Sequence, residues 1–94
     1  MNGPYKYRKR PIVVEAVKWD GSLLSANAIV LWSVNRVRPF GMNRAPNVGP
    51  IQLIVDTPNG EVEAEPGDWI IRGSKDDFYP CKPETFNNIY ELAE

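Results

Sequence analysis

The sequence predicts an α+β fold: a single small domain, mostly an antiparallel β-sheet of about five strands, with one α-helix packed on one face. Three observations predict it. One segment only carries apolar residues at sustained helical spacing. Most of the remainder alternates β-branched and aromatic residues with polar ones between Pro/Gly turns. The connections in that remainder are too short for a parallel crossover. With 94 residues the chain makes one domain, divided into a basic N-terminal arm over 1–10 and the domain proper over 11–94.

The arm holds Lys6, Arg8, Lys9 and Arg10, flanked by Tyr5 and Tyr7. Pro11 opens a β-branched run, Ile12 to Trp19, apolar on both faces and therefore expected inside the sheet. Asp20-Gly21 ends it. Ser22 or Ser25 caps a helix running to about Asn35. Leu24, Ala28, Leu31 and Trp32 fall on one helical face, widened by Ala26, Ile29 and Val30, so that face is expected on the sheet with Trp32 buried. Pro39, Gly41, Pro46, Gly49 and Pro50 then mark a loop containing at most a short strand over Val37–Met42.

From Ile51 the chain reads as an antiparallel meander. Ile51, Leu53 and Val55 alternate with Gln52, Ile54 and Asp56 before a Pro58-Asn59-Gly60 turn. A type I turn sets Thr57 opposite Glu61. Pairing Thr57 with Val62 instead keeps one face apolar, and the facial pattern is preferred because a one-residue slip inverts every side chain. Glu61, Glu63 and Glu65 form the wet face of the next strand. Trp69–Arg72 is a strand, Gly73–Asp77 a five-residue turn, and Phe78–Cys81 a strand confined by Pro80 to an edge or bulge. Pro83 opens a one-turn helix to Asn87, and Ile89–Leu92 forms a last strand.

Missing residues narrow the chemistry. Without histidine, a Ser-His-Asp triad or Cys-His pair cannot form within one chain. Cys81 is the sole soft metal ligand, so a His- or Cys-based zinc site is excluded. The seven glycines are scattered singly and make no phosphate loop. Asp76-Asp77 reads as a turn rather than a catalytic pair. The expectation is a non-enzyme without cofactor or metal. No apolar run is long enough to span a bilayer, no small-residue cleavage site follows the basic N-terminus, and a single cysteine fits a reducing cytoplasm, so the cytoplasm is the expected compartment.

The net charge of −1 hides an asymmetry. Residues 1–44 carry eight basic residues against Glu15 and Asp20; residues 45–94 carry Arg72, Lys75 and Lys82 against ten acids. The basic arm, extended by Arg36, Arg38 and Arg44, is one candidate binding surface, able to meet phosphates while its tyrosines stack on bases. The bland reading is a solvated tail, favoured by a pI near 5.4. A second candidate gathers Trp69, Arg72, Phe78, Tyr79, Cys81 and Lys82, residue types common in interface hot spots. Its bland reading puts the aromatics in the core, with Cys81 as a small hydrophobe. A homo-oligomer is a further expectation, with the arm meeting Glu61, Glu63 or Glu65 of the same or a neighbouring copy.

Tyr7-Arg8-Lys9-Arg10-Pro11-Ile12-Val13-Val14-Glu15-Ala16 resembles the opening of a family of small phage and prophage proteins. Pro66-Gly67-Asp68-Trp69-Ile70-Ile71-Arg72-Gly73, then Phe78-Tyr79-Pro80-Cys81-Lys82-Pro83 and Phe86, resemble that family's C-terminal signature. The family usually places a glycine where this chain has Asp76, and aspartate tolerates the left-handed turn better than most residues. The resemblance implies a phage-encoded protein made in a bacterial host and carries no activity with it. The expected function is therefore binding to a host protein or host defence factor, with a nucleic-acid or nucleotide binder as the alternative.

Overall fold

The computed structural model describes residues 4, 6, 12–41 and 49–92. The elements are β1 (Glu15–Lys18), α1 (Leu23–Trp32), β2 (Val37–Phe40), β3 (Gln52–Thr57), β4 (Gly60–Ala64), β5 (Trp69–Arg72), β6 (Phe78–Cys81) and α2 (Pro83–Ile89). The fold is α+β, but the expected single sheet is two three-stranded sheets, ordered β1-β5-β6 and β2-β3-β4. All pairings are antiparallel. The meander is thus broken between β4 and β5, and each half borrows a strand from earlier in the chain.

Alternation explains why two sheets face one core. Val37, Val55 and Val62 stand opposite one another across the second sheet, as do Pro39, Leu53 and Ala64. In the first sheet Val17, Ile70 and Pro80 share a face with Phe78. Trp19, Ala26, Ile29, Val37, Leu53, Val55, Ala64, Ile70 and Phe78 form one buried cluster, against which Val17 and Trp32 pack. Cores of this kind are the main favourable term in a small domain.

The β3–β4 hairpin has Thr57 opposite Gly60 and Val55 opposite Val62. Both expected registers are therefore corrected. The observed one lies two residues from the facial reading, and this even step keeps Leu53, Val55 and Ala64 inside. The Thr57 hydroxyl closes the turn, donating to the Gly60 carbonyl at 2.6 Å and accepting from the Asn59 amide at 3.2 Å.

β1 lies at a sheet edge, not inside, and Ile12 and Val13 before it are exposed. β6 is an edge strand, as Pro80 requires. Asp76 takes φ 61° in the five-residue loop, the left-handed turn expected of it. α2 reaches Ile89, two residues past the expected end at Asn87, and the expected last strand over Ile89–Leu92 does not form.

Ser22 caps α1, its hydroxyl accepting from the Ser25 amide at 3.0 Å. The helix ends at Trp32, short of Asn35, because Val34 and Asn35 turn left-handed at φ 53° and 63°. The buried Ser33 hydroxyl donates to the Val30 carbonyl and accepts from the Val37 amide, coupling the helix end to β2. The expected face is corrected: Ala26 and Ile29 are buried, Trp32 is half-buried, and Leu24 and Leu31 are exposed. Close approach fixes the other side of the cap, where a Cβ on Gly49 would overlap the Gly21 carbonyl.

Candidate functional site

The second candidate cluster is split by the pleat of the first sheet. Trp69, Ile71, Tyr79 and Cys81 point to its outer face, and Ile70, Arg72 and Phe78 to its inner one. Phe78 belongs to the core and meets Trp32 edge-on, with ring centroids 5.4 Å apart. Of the three aromatic residues, Phe78 alone joins the core as the bland reading expects.

On the outer face α2 lays Phe86 flat on Trp69, with centroids 4.0 Å apart and planes 7° from parallel. Tyr90 continues the stack at 5.0 Å from Phe86, and its hydroxyl lies 3.4 Å from that of Tyr79. All four rings are half-buried. Phe86 and Ile89 lie three apart on α2 and Tyr90 is the cap residue just past its end, while Ile89 and Leu92 are exposed. The result is an aromatic ledge with exposed aliphatic residues at its end. Burial, then the Tyr90 hydrogen bond, pushes the Tyr79 hydroxyl up to about 12, so it stays protonated. Burial also raises the Cys81 thiol, which makes it a poor nucleophile.

Lys82 stands at the start of α2 and reaches Asp68 at 3.0 Å and Glu65 at 3.6 Å. Asp68 is buried, and its other contact is the Glu65 amide at 2.9 Å. Its carbonyl accepts from the Trp19 amide at 3.0 Å, while the Gly67 amide donates to the Trp19 carbonyl at 2.7 Å. This clasp joins the β4–β5 turn to the end of β1 and to α2. The hydrogen bond to Asp68 holds the Lys82 ammonium above its ordinary value. Lys82 is thus a positioning residue for the ledge.

The arginines occupy separate places. Arg72 bonds Asp76 and reaches Glu15 at 3.4 Å, with its guanidinium 5.9 Å from the Phe78 ring centroid. Arg38 lies across the outer face of the second sheet, paired with Asp56 and Glu61. Both are held more firmly protonated, Arg72 chiefly by Asp76 and Arg38 chiefly by Glu61. Arg36 is exposed and makes a 3.5 Å hydrogen bond to the Asp76 carbonyl. It shares a cleft of about 230 Å³ with Arg72, Val34 and Asp76. A larger cleft, about 450 Å³, opens between the Pro58-Asn59 turn and Tyr79. Lys6 is exposed; Tyr5, Arg8, Lys9, Arg10 and Arg44 lie outside the described residues.

Glu63 accepts from the Gln52 side chain at 3.1 Å. The three glutamates expected to meet the arm are therefore beside Arg38, Gln52 and Lys82. Sequence reasoning missed Asp68 as a buried anchor and Tyr90 as part of the stack. The i, i+4 spacing of Phe86 and Tyr90 behind Pro83 was the available signal for the second.

No family model matches the chain, and no curated protein and no solved structure matches it. Among the described residues no helix is long and apolar enough to cross a membrane.

Proposed function

We propose that this is a phage-encoded protein that works in the host cytoplasm by binding a host protein rather than by catalysis. The aromatic ledge on the outer face of the first sheet carries the reading. Trp69, Phe86 and Tyr90 offer flat apolar area that is already stacked and costs little further ordering on binding, and Ile89 and Leu92 extend it. The resemblance of the chain's two terminal segments to small phage proteins supports the host context. The nucleic-acid alternative draws less support, because Arg38 and Arg72 are engaged by the protein's own acids.

The test is capture from host lysate with the full chain as bait, with and without nuclease. The expected result is one host protein retained after nuclease treatment and at high salt, and lost with Ile89→Glu, which alters an exposed side chain. Capture that disappears with nuclease and fades steeply with salt would replace this reading with phosphate binding.

A further inference from the structure

We infer that the open edge of β1 takes an extended segment of a different protein as an added strand. The run from Ile12 to Trp19 has the composition of an interior strand, apolar on both faces. Yet β1 lies at a sheet edge: β5 is on one side, and among the described residues no strand is on the other. Ile12 and Val13 are 61% and 76% exposed, and neither is paired with β5. A run composed for two neighbours has one.

The backbone fixes which groups are free. The Trp19 amide and carbonyl both bond to the β4–β5 turn. Bonding alternates along an antiparallel strand, so Val17 and Glu15 also spend theirs on β5, and those of Ala16 and Lys18 point to the open edge. The far side of β5 agrees. The Gly73 amide donates to the Asp77 carbonyl at 2.8 Å, so alternate residues of β5 serve β6 and leave Ile70 and Arg72 for Val17 and Glu15. Open amides and carbonyls at every second residue are the template for strand addition. The other three edges are blunted: β2 and β6 contain Pro39 and Pro80, and β4 carries Glu61 and Glu63.

The two charges of β1 select the occupant. Glu15 is met by Arg72 of its own chain at 3.4 Å. Lys18 is exposed and has no acid beside it among the described residues. A second copy supplies none. The one two-fold register that pairs all of residues 12–18 with themselves is centred on Glu15. It sets the two Glu15 carboxylates opposite each other, and Lys18 opposite Ile12 of the partner subunit; like charges directly opposed are destabilising. The occupant is therefore a segment with β-branched residues along Ile12–Val17 and an acid beside Lys18. The inference does not depend on what the α2 ledge binds.

Selection of a displayed random-peptide library against the full chain tests this, with amide exchange of the chain read by NMR. In the free chain the Ala16 and Lys18 amides should exchange freely while those of Glu15 and Val17 are protected. Enriched peptides should alternate β-branched residues, carry an acid, and protect Ala16 and Lys18. Ala16→Pro removes an outward amide and no ladder bond, so it should weaken those peptides at least about tenfold, or 1.4 kcal/mol, with Val17 still protected. Lys18→Glu, at an exposed position, keeps the strand and should turn the selection from acidic to basic peptides. Three results would overturn the inference: no enrichment, enriched peptides that leave Ala16 and Lys18 unprotected, or protection of both amides in the dilute free chain. Protection that appears without peptide as the chain is concentrated would give the edge to a second copy and overturn the different partner.

Discussion

The two helices invert the usual relation between apolarity and burial. Eight of the ten residues of α1 are apolar, yet it buries only Ala26 and Ile29 and leaves its leucines outside. α2 has no fully buried residue, yet its position is set by a ring stack and by the Lys82–Asp68 clasp at its start. α1 is held by fit into a closed core, and α2 by a few oriented contacts on an open face. Apolar content therefore says how much a helix can bury. Small side chains and caps decide which stripe goes in.

The largest expected effect sets one α1 residue against another. Ile29→Ala should cost about 2–5 kcal/mol, because the side chain is fully enclosed. Leu31→Ala should stay within about 0.5 kcal/mol. Urea unfolding of both variants checks this, and equal losses would mean that the buried stripe is misassigned.

Next comes α2. Phe86→Ala removes the ring on which both Trp69 and Tyr90 stack, and should cost about 1–2 kcal/mol from the pair contacts and some lost burial. The loss should be local. Hydrogen exchange should rise over Pro83–Ile89 while Leu23–Trp32 stays protected; a uniform rise would show that α2 unfolds only with the core.

Much of the local structure was legible in the sequence. The 73–77 turn, an edge or bulge at Pro80 and a helix start at Ser22 or Ser25 each follow from one or two residues. Pairing across the chain was not. β1 and β4 both needed a partner, and nothing local says that β5 takes β1. The buried Asp68 decides it by tying the β4–β5 turn to Trp19. The α1 face was illegible for a different reason: when every side is apolar, periodicity cannot select one. The site residues were picked by type, and the pleat then separated Phe78 and Arg72 from Trp69 and Tyr79.

A smaller effect is expected at the junction after α1. Val34→Gly keeps the left-handed turn without the Cβ conflict and should stabilise the fold by about 1 kcal/mol. Thermal unfolding reads the effect. A loss of stability would show that the valine side chain is held by its own chain.

The smallest effect separates the two helices by pH. No titratable side chain lies between Leu23 and Asn35, whereas Tyr79, beside α2, is raised from 10.0 to about 12 by burial and by Tyr90. The unfolded chain gives up this proton near the lower value and the folded chain near the upper. Between them the folded form binds more protons, so its stability falls as pH rises through the interval, and below it the group adds no slope. Lys82, raised by its bond to Asp68, contributes stability that declines from its ordinary value of 10.5 upward and is lost as pH passes its raised value in the folded chain, so the two losses overlap. Thermal midpoints across the alkaline range should therefore decline less steeply in Tyr79→Phe than in the wild type, with the remaining slope reduced again by Lys82→Met. The Trp69 signal should change before any signal from Trp32, because the ledge loosens while the α1 core holds. Parallel slopes in all three proteins would show that Tyr79 titrates alike in the folded and unfolded chains, and would remove its burial beneath α2 as a source of stability.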